Sequence, residues 1–198
     1  MIEILDDVVP VDIQDRIEQT LLSADTGWIL SRSIAYKNNA EVSEETKKSI
    51  MGFTHLIFQE TVLDNNINLY NEPLIALCGQ LNYNIEALFN MRAQLQLPVP
   101  SKEKYGSVHV DSHMDRPYKV CLYYVNDSDG DTIIFNERST TTPTSDVMNG
   151  NLTERLRVNP KKGRMIIFDG DIYHCGSKPS NDIRCVINYN IFVNGTRT

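Results

Sequence analysis

The residues whose types and spacing could do chemistry are His109-Val110-Asp111, His174, and Arg184 ten residues later. Two imidazoles and one carboxylate form a facial ligand set that occupies half of an Fe(II) coordination sphere and leaves the other half open. Residues i and i+2 of an extended segment project from one face. His109 and Asp111 can therefore address one ion while Val108 and Val110 turn to the core. The third ligand must come from elsewhere, and His174 is the candidate, after the strand expected at Arg164–Phe168 and a short turn. Arg184 lies in the apolar run Ile183 to Ile191. A guanidinium there is costly unless a carboxylate meets it, and its fork matches the two oxygens of that group. Arg184 is expected either to hold a dicarboxylic cosubstrate or to pair with an internal acid.

An HxD triplet alone is a weak signal, and a second one, His113-Met114-Asp115, overlaps the first. His109 and Asp111 are preferred because they end a β-branched run, whereas Arg116-Pro117 after the second triplet reads as loop. His113 and Asp115 then become rim residues. Asp127, Asp129 and Asp131 have the spacing of a calcium-loop start, but Arg138 stands where the bidentate Glu is needed, so a hairpin turn is preferred.

These ligands need a β framework, and the second half of the chain supplies one. Phe89, Met91, Ala93, Leu95 and Leu97 alternate with Asn90, Arg92, Gln94 and Gln96, the period of a strand with one apolar and one polar face. The polar face lies either in water or in a barrel mouth, where Arg92, Gln94 and Gln96 would line a substrate pocket together with the rim residue His113. Further runs follow at Ser107–Asp111, Lys119–Val125, Thr132–Phe135, Arg155–Val158, Arg164–Phe168 and Ile183–Val193, separated by turn residues. Many short strands at this spacing suggest a jelly roll. The polar segment Ser139 to Ser145 reads as a surface loop or flap.

The first ninety residues read as mostly helical. Ile13, Ile17 and Leu21 recur behind Asp12 as a cap. A second helix is expected from Asn71, with Pro73 in its first turn and Leu74, Leu77, Cys78 and Leu81 on one face. Between Ser43 and Glu60 a helix start and a strand over Gly52 to Phe58 both remain open, with His55 read as structural. The expected fold class is mainly β with N-terminal helices (α+β). One domain spans 1–198, with a helical support region over 1–90 and a jelly-roll core over 91–198.

A chain of 198 residues with 41% apolar content can bury a core. Nineteen basic against 26 acidic residues give a net charge of −7, which makes nucleic acid an unlikely partner. No basic leader and no membrane-length apolar run is visible, so a cytoplasmic protein with reduced Cys78, Cys121, Cys175 and Cys185 is expected, its sequons at Asn126, Asn151 and Asn194 arising by chance.

Taken in order, these residues resemble the Fe(II)/2-oxoglutarate-dependent oxygenases, in particular the prolyl-4-hydroxylase-like branch of small bacterial and viral members. His109-Val110-Asp111 resembles the HxD arm, Tyr123-Tyr124-Val125-Asn126 the YYLN-type strand, and Asp129-Gly130-Asp131-Thr132 the following hairpin. Pro160, Gly163, Phe168, His174 and Arg184 resemble the end of the family pattern, so the likeness covers about Leu95 to Phe192. It implies a double-stranded β-helix with iron on His109, Asp111 and His174. It also implies 2-oxoglutarate held by Arg184 and a phenol hydrogen bond from Tyr124, O2 as oxidant, and ascorbate as an optional reductant. Three departures stand out: Leu97 replaces the tyrosine before the strand-ending proline, Val186 replaces a Ser or Thr, and Arg184 replaces the Lys of collagen-type enzymes.

The implied reaction is hydroxylation of a C–H bond coupled to conversion of 2-oxoglutarate to succinate and CO2. A prolyl or other peptide side chain is the first choice of substrate, a free amino acid or small molecule the second, and a methylated nucleobase the third. Two other readings are a cupin-like metal enzyme without 2-oxoglutarate and a non-catalytic jelly-roll binding module. The position of His174, eleven residues after Gly163, does not fit the cupin spacing, and an intact ligand set would serve nothing in a metal-free module.

Overall fold

The computed structural model describes residues 1–31, 51–99, 106–142, 144–148 and 150–194. The helix start expected at Ser43, Pro143 of the polar segment and the end of the Asn194 sequon lie outside them. Strands β1 (Ile2–Leu5), β2 (Ile29–Ser31), β3 (Gly52–Gln59), β4 (Thr61–Val62), β5 (Asn84–Gln96), β6 (Lys119–Tyr124), β9 (Met165–Asp169) and β11 (Arg184–Asn194) build an eight-stranded antiparallel sheet. Its order is β1-β9-β6-β11-β5-β3-β2, with β4 on β3. Strands β7 (Thr132–Arg138), β8 (Glu154–Val158) and β10 (Ile172–Gly176) form a second sheet in the order β10-β7-β8. The result is the expected mainly-β double-stranded β-helix.

Two helices cover one face of the large sheet. In α1 (Val11–Leu21) the i, i+4 series buries Ile17 and Leu21 completely, with Ile13 beside them. In α2 (Ile67–Leu81) Tyr70, Leu74, Leu77 and Cys78 pack against Met91, Tyr189 and Ile191 of the sheet. Each such side chain contributes about 1.5–3 kcal/mol by leaving water. Tyr189 also donates its hydroxyl to the Tyr70 carbonyl at 2.5 Å, tying β11 to α2. The opposite face of the large sheet meets the small sheet over Val120, Leu122, Ile134, Ile166 and Phe168. No described helix is long and apolar enough to cross a membrane, and all four cysteines are buried free thiols.

Several expectations are corrected. Among the described residues of the first ninety, helix does not dominate: β1 to β4 and the start of β5 stand beside two helices. β3 is covered along both faces, only Gln59 being exposed, and its apolar residues Phe53, Leu56, Ile57 and Phe58 fall at both parities, which hides its period of two. Asp12 is not a cap but lies inside the first turn of α1, after Pro10. Helix α2 begins four residues before Asn71, so Pro73 is interior; burial of Tyr70 and Leu74 outweighs its missing N–H. Ser107–Asp111 is not a strand but a single bridge, His109 to His174. In β5 the register slips near Asn90, so Phe89 packs toward the inner cluster instead of joining Met91, and Leu97 is exposed beyond the strand end. The polar segment ends in a helix, α3 (Thr144–Met148), and Ser139 and Thr140 are fastened to Asp171.

The turn before β9 explains Gly163. Its φ is +79°, and a Cβ there would come within 2.5 Å of the Gln14 side chain, whose amide donates to the Val9 carbonyl at 2.9 Å. His55 is structural, one ring nitrogen facing the Gly27 carbonyl at 3.1 Å and the other the Asp64 carboxylate at 2.6 Å.

Candidate metal centre

His109 and His174 are direct cross-strand partners, each donating its backbone N–H to the other's carbonyl at 2.9 Å. Such partners present their side chains on one side of the ladder, and the two rings stand 4.6 Å apart. Asp111 lies two residues along and returns to that same side. Val110 takes the other side and packs with Ile133, Phe135, Tyr173 and Cys175. A residue, its i+2 neighbour and its ladder partner thus converge: the ligand atoms of His109, Asp111 and His174 lie within 4.8 Å of one another. Asp111 Oδ1 is 3.6 Å from His109 Nε2 and 3.9 Å from His174 Nε2.

Both imidazoles are oriented for ligation. His109 Nδ1–H donates to the Ser107 carbonyl at 2.8 Å and His174 Nδ1–H to the Ile172 carbonyl at 3.1 Å. A carbonyl only accepts, so each Nδ1 carries the proton and each Nε2 keeps its lone pair toward Asp111. Burial, then the neighbouring His109, pushes His174 down to about 4. The ring is therefore neutral at pH 7, the form that binds a metal. Burial alone would raise the Asp111 carboxyl, but the Arg92 guanidinium and the two imidazoles around it hold it well below the usual carboxylate range. Two imidazole nitrogens and one carboxylate oxygen around one point fit a ferrous ion. Phe168 stands edge-on to His174 at 4.9 Å and closes the site with an apolar wall.

Arg184 faces Gln96 across the β5–β11 ladder and is 5% exposed. Its Nε donates to the Gly130 carbonyl at 2.8 Å, Nη2 to Thr132 Oγ1 at 2.8 Å and Nη1 to Gln96 Oε1 at 3.3 Å. Among the described residues no carboxylate hydrogen-bonds to it, so the reading of an internal ion pair finds no partner. Burial lowers its pKa, as desolvation does for a cation. Its five N–H donors exceed the three bonds made. Tyr124, also buried, donates to the same Thr132 hydroxyl at 2.8 Å, and burial pushes its phenol up to about 12. The guanidinium lies over Gly176, where a Cβ would sit 3.4 Å from Cζ. Gly176 follows His174 by two residues, about 7 Å along the strand. A five-carbon diacid spans that interval.

The polar face of β5 lies on the barrel side. Arg92 donates to Asp111 Oδ1 at 3.1 Å, Gln96 meets Arg184, and Gln94 lies between them opposite Val186. His113 and Asp115 are exposed and do not join the triad. They line a groove of about 860 Å³ that begins at Ser112, one residue past Asp111, and continues over Met114, Pro117 and Tyr118. Three residues escaped the sequence reading. Thr132 joins Arg184 to Tyr124, and Asn188 and Asn190 donate to Asp111 Oδ2 at 2.8 and 2.9 Å. Two asparagines at i and i+2 inside the apolar run after Arg184 were the available signal. The three aspartates of the calcium reading hold loops instead: Asp127 accepts from the Lys162 N–H, Asp129 from Ser180 and Asn181, and Asp131 from Arg157.

No family model and no curated protein matches this sequence. Solved structures do. A prolyl-4-hydroxylase from Pseudomonas putida is similar with a TM-score of 0.60 at 14% identity, over 98% of this chain and 93% of its own. A prolyl hydroxylase from Trichoplax adhaerens, in complex with a hypoxia inducible factor peptide fragment, has a TM-score of 0.60 at 13% identity, over 96% of this chain and 83% of its own. A non-heme alpha-ketoglutarate-dependent epimerase from nogalamycin biosynthesis has a TM-score of 0.63 at 11% identity, over 96% and 78%. The chain thus has, over nearly its whole length, the fold that prolyl-4-hydroxylases share with other 2-oxoglutarate–Fe(II) oxygenases.

Proposed function

We propose that this protein is an Fe(II)/2-oxoglutarate-dependent dioxygenase that hydroxylates a prolyl or other peptide or amino-acid C–H bond. The observation that carries this reading is Arg184, a buried guanidinium among neutral acceptors beside a His-Asp-His triad. His109, Asp111 and His174 would hold the iron. Bound there with 2-oxoglutarate and O2, it supplies an oxidative decarboxylation to succinate and CO2 coupled to C–H hydroxylation.

The protein's part is to bind, orient and exclude water. Arg184 would take the distal carboxylate of 2-oxoglutarate with the N–H groups it has left, Thr132 and Gly130 fixing its plane. Tyr124, its hydroxyl protonated at pH 7, can turn from Thr132 to the same carboxylate. Phe168, Leu122 and Ile134 keep the interior apolar. The groove from Ser112 to Tyr118 would admit the substrate, with His113 on its rim. A peptide fits an open groove of this volume, and one similar structure holds a peptide. Arg92, Gln94 and Gln96, taken from the sequence as substrate contacts, divide: Arg92 serves Asp111, Gln96 serves Arg184, and Gln94 alone keeps that assignment. Ascorbate would act only as a reductant.

Succinate release from 2-oxoglutarate tests the reading, measured with Fe(II) and O2 against proline-containing peptides, free amino acids and alkylated oligonucleotides. Peptide-stimulated release that is absent in His174→Ala supports it. Metal binding with no release of succinate under any substrate would favour a cupin-like enzyme.

A further inference from the structure

Asp111 is held by more donors than its charge requires. Arg92 supplies the counter-charge through Oδ1 at 3.1 Å. Oδ2 receives two neutral carboxamides besides, Asn188 Nδ2 at 2.8 Å and Asn190 Nδ2 at 2.9 Å. These are consecutive inward positions of β11, and Asn188 stands opposite Arg92 across the ladder. Both asparagines are 2% exposed, and Asn188 Oδ1 has no hydrogen-bond partner. The fold leaves a buried acceptor unsatisfied while the amide's donor end faces the carboxylate.

A carboxylate oxygen has two in-plane lone pairs. On Oδ2 both are taken by amides. On Oδ1 one is taken by Arg92, and this is the oxygen that faces both imidazoles. We infer that Asn188 and Asn190 are positioning residues that confine Asp111 to one-oxygen metal ligation. The consequence is an extra open position. A bidentate aspartate with two histidines would leave two vacancies, both filled by a chelating keto acid, whereas a monodentate one leaves a third for O2. The inference rests on the triad's being a metal site, as proposed above.

The test uses Mn(II) alone, counting coordinated waters by the broadening of its electron paramagnetic resonance lines in oxygen-17-enriched water. Asn188→Ala/Asn190→Ala should fix one water fewer than the parent at undiminished Mn(II) affinity, and Asn188→Ser/Asn190→Ser, which restores a donor at each position, should recover it. An unchanged water count in the alanine variant overturns the inference. So does a fall in Mn(II) affinity with no change in count, which would make the amides mere supports of the Asp111 side chain. If the double variant does not fold, Asn190→Ala frees one lone pair on Oδ2 and is judged by the same criteria. Failure of the parent to bind Mn(II) would instead refute the triad as a metal site, a separate outcome.

Discussion

Gly130 and Arg184 are in contact through what Gly130 lacks. Its carbonyl accepts from Arg184 Nε at 2.8 Å, and a Cβ on it would lie 2.9 Å from Arg184 Cδ and 3.1 Å from the Ser177 carbonyl. The backbone on one side and the arginine on the other cannot both give way, so Gly130→Ala should displace the guanidinium. Displacement on the ångström scale in a preorganised site is expensive. The KM for 2-oxoglutarate should rise about 10-fold or more in steady-state kinetics, while Fe(II) affinity, measured by anaerobic titration, stays near that of the parent.

Removing the guanidinium itself gives a larger and equally selective effect. On the proposed reading, Arg184→Ala loses the charge-assisted fork to the distal carboxylate of the cosubstrate, and 2-oxoglutarate affinity should fall on the order of 100-fold. Iron affinity should change far less, because no ligand is touched. Equal loss of both would identify Arg184 as a structural residue.

His174→Ala should do the reverse. It removes the proposed ligand, whose Nε2 faces Asp111 at the triad centre. Metal affinity should fall by more than the roughly 10–100-fold expected from loss of an outer hydrogen-bond partner. The weak visible band expected from anaerobic Fe(II) with 2-oxoglutarate should vanish with it. Its persistence would exclude His174 as a ligand.

Much of this site was legible in the sequence because its geometry is local. His109 and Asp111 are related by the period of extended backbone, and Arg184 betrays itself as a charge in an apolar strand. What the sequence hid depends on register. Nothing in Ile172 to Gly176 marks a strand, yet only its pairing with residue 109 brings His174 opposite the arm. The polar face of β5 could have met water or the barrel, and pairing with β11 on one side and β3 on the other decides for the barrel. Asn188 and Asn190 gained a role only once that ladder set them beside Asp111. In the first ninety residues, helices that read clearly drew attention from β3, which shows no polar face because most of its residues are covered, and from β1, β2 and β4, which are too short to show a period.

His55 offers a stability prediction away from the chemistry. It is 9% exposed, joins the Gly27 carbonyl to Asp64, and meets Trp28 edge-on at 5.9 Å. Asp64 also accepts the Asn66 N–H at 2.5 Å, at the start of α2. Asp64→Ala strips both donors of their acceptor, and unfolding in urea should show a loss of about 1–3 kcal/mol. An unchanged midpoint would mean that solvent replaces the carboxylate at no cost.

The acid limb of stability should be governed in part by Asp169. Its carboxylate receives Lys119 Nζ at 2.5 Å and Arg138 Nη2 at 2.9 Å. Burial alone would raise its pKa, but these hydrogen bonds win and hold it well below the ordinary 3.8. A carboxyl depressed on folding contributes stability that is complete above its unfolded pKa, about 4, and lost as pH falls from there toward the folded value. The parent's melting temperature should therefore drop steadily below about pH 5. Asp169→Asn cannot be protonated: it should be less stable than the parent at pH 7 by about 1–2 kcal/mol, since the pair is partly exposed. The gap between the two should narrow as the parent's carboxylate titrates, and thermal melts from pH 7 down to about 3 read it directly. A gap that stays constant across that range would mean that Lys119 and Arg138 hold Asp169 without lowering its pKa, and that other carboxylates set the acid limit.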